Sequence, residues 1–174
     1  MSHRFLLPRS APLRSFAAVT VLASSLLLAG CAAAVPLTPA ADATNVACAD
    51  VIVHLPSTVA DQASRETNAQ ATGAWGDPAS VLLHCGVTVP VPTTLPCLNI
   101  NGIDWIEDDS EAPTYRYTTY GRNPAIEIVI DSEAVSGSTA LIDVANAVGY
   151  LPATGACVGA EDVQLPTDGA TSAP

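Results

Sequence analysis

Lysine is absent from this 174-residue chain and arginine is scarce, so the cationic side chains are Arg4, Arg9, Arg14, Arg65, Arg116 and Arg122 against 17 acidic groups. Arg4, Arg9 and Arg14 precede every carboxylate, which leaves three arginines facing all the acid from residue 31 onward. Nucleic acid is bound by clustered Lys and Arg that displace condensed counterions, and a surface of this sign excludes it as a partner. Anionic headgroups are repelled on the same ground, so attachment to a membrane needs something other than a basic patch. Aromatic residues make up only 5% of the chain, and both phenylalanines, Phe5 and Phe16, lie in the first thirty positions. The core beyond them rests on Val, Ile, Leu and Ala with Trp75, Trp105, Tyr115, Tyr117, Tyr120 and Tyr150. An apolar run of the roughly 20 residues that a permanent membrane span requires is missing too.

What the N-terminus does contain is a basic stretch around His3, Arg4, Arg9 and Arg14, an apolar run from Phe16 to Leu28, and then small residues. That order is a secretory signal and not a core helix. Leu28-Ala29-Gly30-Cys31 resembles the bacterial lipobox. The resemblance implies cleavage between Gly30 and Cys31 and a diacylglycerol on the Cys31 thiol, with two or three palmitate-like chains. At about 0.8 kcal/mol per buried methylene, such chains anchor a protein without further lipid contact. The expected address is the outer face of the cytoplasmic membrane.

Cys48, Cys85, Cys97 and Cys157 remain, an even number in an exported chain where oxidising conditions favour disulfides. Four cysteines allow three pairings, and sequence alone does not choose among them. The favoured expectation joins Cys85 to Cys97 as a local loop and Cys48 to Cys157 across the domain. A C-x-x-C pair and histidines at ligand spacing are lacking, so neither a metal nor any other cofactor is expected.

Residues 31–47, rich in Ala, Pro and Thr, read as a flexible tether reaching roughly 20–25 Å. Residues 48–157 read as one domain, and 158–174 as a disordered acidic tail. Within the domain, Val51 to Leu55 is β-branched and stopped by Pro56, which predicts a strand. Ser57 and Thr58 then cap a helix to about Arg65, with Thr58 and Asp61 at capping-box spacing. A polar stretch from Glu66 to Gly73 follows. Strands are predicted at Val81 to His84, Ile103 to Glu107, Tyr115 to Tyr120 and Ala125 to Asp131, the last alternating Ile126, Ile128 and Ile130 with Glu127 and Val129. Pro90, Pro92 and Pro96 keep their segment out of a central ladder. Leu141, Val144, Ala145 and Val148 recur at helical spacing from Ser138 to Gly149. The order β-α-β-β-β-β-α predicts an α+β two-layer sandwich: a mainly antiparallel sheet of four to five strands, two helices on one face, and disulfide staples.

Trp75-Gly76 before a strand ending His84-Cys85-Gly86, then Pro90, Cys97, Asp104-Trp105, the run Thr118 to Pro124 leading into Ile126-Glu127-Ile128, and a late Cys157 together resemble an actinobacterial lipoprotein family, the domain of unknown function 3515. The resemblance covers about residues 48 to 157 plus the lipobox. It implies an exported, lipid-anchored envelope protein of unassigned activity and carries no active site to transfer.

Among residues that might carry chemistry, Arg122 follows a glycine turn beside Tyr120. It is suited either to bidentate binding of an anionic ligand or to an internal clamp on a neighbouring carboxylate. Trp75 and Trp105 suit a groove wall or the core. His84 and Cys85 are adjacent on a predicted strand and so point to opposite faces, which denies them a thiol–imidazole pair. No G-x-S-x-G elbow is present, and Val135 to Ser138 reads as a helix start. Asp104, Glu107, Asp108, Asp109 and Glu111 lack EF-hand spacing and read as a solvated loop. The expectation is a non-enzymatic, membrane-tethered module whose ligand site includes Arg122, Tyr120 and Trp75, binding an envelope protein or a cell-wall component. A cell-envelope hydrolase using Arg122, His84 and the acidic run is the alternative.

Overall fold

The computed structural model describes residues 33–158. Cys31, the leader and the tail from residue 159 lie outside them. The chain runs α1 (Val46–Val53), β1 (Thr58–Val59), β2 (Gln62–Arg65), β3 (Thr72–Trp75), β4 (Val81–Val87), β5 (Cys97–Ile100), β6 (Ile103–Asp108), β7 (Thr114–Thr119), β8 (Ala125–Asp131) and α2 (Gly137–Val148). The strands form one antiparallel sheet in the order β1-β2-β3-β4-β8-β7-β6-β5, two four-stranded meanders joined where β4 meets β8. The α+β class holds, and the sheet is larger than the four to five strands expected.

The central ladder explains why one face is the core. Val81 stands opposite Ile130, Leu83 opposite Ile128 and Cys85 opposite Ile126, all fully buried. This face continues through Tyr117, Trp105 and Ile103 and is covered by Cys48 and Val51 of α1 and by Ala140, Leu141, Val144, Ala145 and Val148 of α2. The intervening residues, Leu82, His84, Glu127, Arg116 and Thr118, form the other face and are only half-buried. The helix at the C-terminal end of the domain and the alternation in β8 are thus as the sequence predicts. Ser136 caps α2 by accepting from the Thr139 N–H at 3.4 Å.

Four expectations are corrected. The β-branched run 51–55 is not a strand: Val51 to Val53 belong to α1, which begins one residue after Asn45, whose side chain accepts from the Ala47 N–H at 3.0 Å. Cys48 and Val51, one turn apart, are buried there, and that packing overrides strand propensity. The helix expected over 58–65 is a hairpin, because Ala60 and Asp61 both take positive φ (47° and 63°), as a two-residue turn between twisted strands requires. Asp143 of α2 holds that turn by accepting from the Ala60 N–H at 2.8 Å. The polar stretch expected from Glu66 to Gly73 ends inside a strand, β3, whose four residues Thr72 to Trp75 are all buried and tie β2 to β4. Further on, β5 was absent from the expected strands. It is an edge strand joined to β6 by Asn101-Gly102, both at positive φ (51° and 80°).

The disulfides differ as well. The structure pairs Cys48 with Cys85 and Cys97 with Cys157, at Cα separations of 5.7 and 6.1 Å. Cys85 in β4 and Cys97 in β5 have three strands between them, roughly 19 Å of sheet, beyond the reach of about 7 Å that a disulfide allows. Cys85 instead points to the covered face, where α1 presents Cys48. The supposed tether is also largely docked. Val35 donates to the Glu66 carbonyl (2.8 Å) and accepts from Asn68 (3.3 Å), Leu37 donates to the Asn68 side chain, and Asp42 donates to the Gly86 carbonyl (3.0 Å). Ala43 is buried, and Gly86, at φ +93°, is required because a side chain there would strike the Asp42 backbone.

Candidate functional site

Tyr120, Gly121 and Arg122 form the turn from β7 to β8, and residues 151–158, which follow α2, are bound down across it. Thr154 donates to the Gly121 carbonyl from its N–H (2.6 Å) and its hydroxyl (3.1 Å), and Arg122 pairs with Ala153 as an isolated bridge. Gly121 sits at φ +70° and faces Gly155 so closely that any Cβ would run into the Gly155 carbonyl. Farther along, the Cys157 N–H donates to Asp104 Oδ2 at 2.9 Å, and the Cys97–Cys157 bridge fastens this strap to β5.

Arg122 is buried, at 7% exposure, and its Nη1 donates to the Leu151 carbonyl just beyond α2. The C-terminal carbonyls of a helix carry partial negative charge and favour a cation there. Burial pulls the guanidinium pKa down, and the nearby Asp104 carboxylate opposes that. Its Nε has no hydrogen-bond partner. The side chain therefore clamps a main-chain carbonyl where the sequence suggested a carboxylate. Trp75 is buried to 1%, with its indole N–H donating to the Pro56 carbonyl at 3.0 Å, so it belongs to the core and offers no surface to a ligand. Trp105 is fully buried likewise.

Tyr120 stays half-buried and lines clefts on both sides of the strap. The larger, about 600 Å³, lies between the strap and the proline-rich loop, with Pro92, Leu95, Asn99, Asp104, Ile106 and Val158 in its wall. Of its apolar wall, Leu95 (41%) and Val158 (80%) stand exposed. Asp104 supplies its charge, held by Asn99 Nδ2 at 2.6 Å and by the Cys157 N–H. A carboxylate fixed by two donors beside exposed Leu95 and Val158 suits a ligand that brings a hydrogen-bond donor or a positive charge and an apolar edge. Sequence reasoning named Tyr120, placed Asp104 in a solvated acidic run, and missed Asn99 and Leu95. The Asn101-Gly102 hairpin signal was the cue that would have placed Asn99 and Asp104 opposite each other.

The components of the hydrolase reading are not gathered. His84 stands opposite Glu127 and Thr72 on the open sheet face, while Arg122 lies in the turn before β8 against residues 151–153. Burial lowers the His84 pKa below its ordinary value, Glu127 opposes the shift and Arg116 adds to it, and Nδ1 is buried without a partner. His54 stacks on Tyr150 at 3.7 Å, with Nδ1 at 2.6 Å from the Asp50 carbonyl. In the acidic run, Glu111 pairs with Arg116 at 3.0 Å, and Asp108 accepts from the Ser110 N–H. Ser136 is the helix cap.

A family model described as a protein of unknown function (DUF3515) matches residues 13–155. Neither the curated proteins nor the solved structures contain a match.

Proposed function

Since the chain belongs to that family of unknown function, we propose that it is an exported protein anchored by lipid at Cys31. Its domain binds a partner, a protein or cell-wall component of the envelope, in the cleft between the proline-rich loop and the strap. The lipobox-like Leu28 to Cys31 supports the anchor, and four cysteines joined in two disulfides agree with an oxidising compartment. The cleft carries the binding reading: exposed Leu95 and Val158 beside one fixed carboxylate, with Thr93, Asn99 and Tyr120 in the same lining, offer a mixed recognition surface, and its walls are stapled in place by the Cys97–Cys157 bridge.

Two measurements test this. Replacement of Cys31 by Ser releases the protein from the membrane fraction; a variant that stays bound contradicts the anchor. A photocrosslinking residue at Leu95 captures an envelope component that the same probe at exposed Thr139, on α2, does not. Equal labelling at both positions contradicts the cleft.

A further inference from the structure

Helix α1 presents an apolar stripe outward as well as inward. Val46 and Val53 are 86% and 73% exposed, Ala49 lies between them at helical spacing with exposed Asp50 at the stripe's edge, and with Ile52 and Ala71 the three apolar side chains border a shallow groove of about 410 Å³. Stripes of this kind on isolated helices are covered by something. Where the chain leaves the domain indicates what. Val35 is fixed to Glu66 and Asn68 in the β2–β3 connection, and the same connection supplies Gln70 and Ala71 to the groove beside α1. Val35 is only four positions beyond Cys31, at most about 14 Å of extended chain.

We infer that α1 rests on the bilayer, with Val46, Ala49 and Val53 seated in the outer leaflet beside the acyl anchor. This inference depends on the lipid-anchor reading of Cys31. A leash this short holds the stripe at high effective concentration next to the surface, so an intrinsically weak apolar contact suffices. The acidic chain has no lysine to supply attraction, and the contact is with acyl chains rather than with charged headgroups. Docking through α1 sets the orientation of the whole domain.

The native tryptophans are buried to 1% or less, which makes an added one a clean reporter. Mature full-length protein carrying Val53→Trp, purified with its anchor and reconstituted in vesicles of brominated phosphatidylcholine, is expected to lose about half its added fluorescence, as a side chain seated ~5–10 Å into the interface does. Val91→Trp, on the proline-rich loop, is expected to lose none. Val46→Asp introduced beside Val53→Trp abolishes the quenching while the protein still floats with the vesicles. Flotation without quenching at position 53 overturns the docking and leaves the anchor standing. A protein that neither floats nor carries the acyl mass overturns the anchor, and the docking with it.

Discussion

The buried guanidinium of Arg122 behaves as part of the scaffold. Its removal leaves the Leu151 carbonyl without a donor, so Arg122→Ala is expected to cost about 2 kcal/mol of stability and to raise hydrogen exchange in residues 151–158. An unchanged melting temperature contradicts the clamp. At His84 the sign follows from burial. Above the ordinary value of 6.5, folded and unfolded chains both carry a neutral ring. Below it the unfolded chain takes up a proton that the folded one resists. Stability contributed by this residue therefore falls as pH drops through 6.5, until the folded ring itself is protonated. Thermal melts of His84→Gln are expected to show a weaker decline between pH 7.5 and 5.5 than the parent, and parallel curves contradict the assignment. The arginine was visible in the sequence as an unusual residue in an acidic chain. Its partner was not, because a main-chain carbonyl leaves no mark in the composition.

At the scale of elements, what was legible is what carries its own period. Helix α2 has six buried positions at helical spacing and a serine cap, and β8 buries Ile126, Ile128 and Ile130 on one face with Glu127 only half-buried on the other, so local pattern and tertiary packing agree. Helix α1 and the β1–β2 hairpin were misread because the deciding contacts are remote. The Cys48–Cys85 bridge and the burial of Val51 select the helix, and Asp143, more than 80 positions along the chain, holds the turn at Ala60. That turn places two non-glycine residues at positive φ, a conformation costing about 1 kcal/mol or more per residue. Asp61→Gly is accordingly expected to stabilise the domain by about 0.5–1 kcal/mol in chemical denaturation, and a loss of stability contradicts the turn geometry. The Asn45 cap gives the opposite test: Asn45→Ala is expected to cost about 1 kcal/mol.

For the molecule as a whole, the two disulfides do not cross. One closes the first meander onto α1, and the other closes the second onto the strap, so each half of the sheet carries its own staple. Each loop is worth about 4 kcal/mol in the chain-entropy account. The two differ in access, since Cys48 and Cys85 are buried to 1% or less while Cys97 is exposed. A mild thiol reductant is expected to open Cys97–Cys157 first, freeing the strap and one wall of the cleft with the core intact, whereas simultaneous reduction contradicts that separation. The pairing was beyond sequence reasoning because it depends on strand order, and β8 inserting next to β4 is what carries Cys85 away from Cys97.

Non-reducing mass spectrometry of the mature protein from the membrane fraction tests the account most directly. It is expected to find a chain beginning at a diacylated Cys31, with peptides linked Cys48 to Cys85 and Cys97 to Cys157. An intact leader, an unmodified Cys31, or free thiols at the other four cysteines contradicts it.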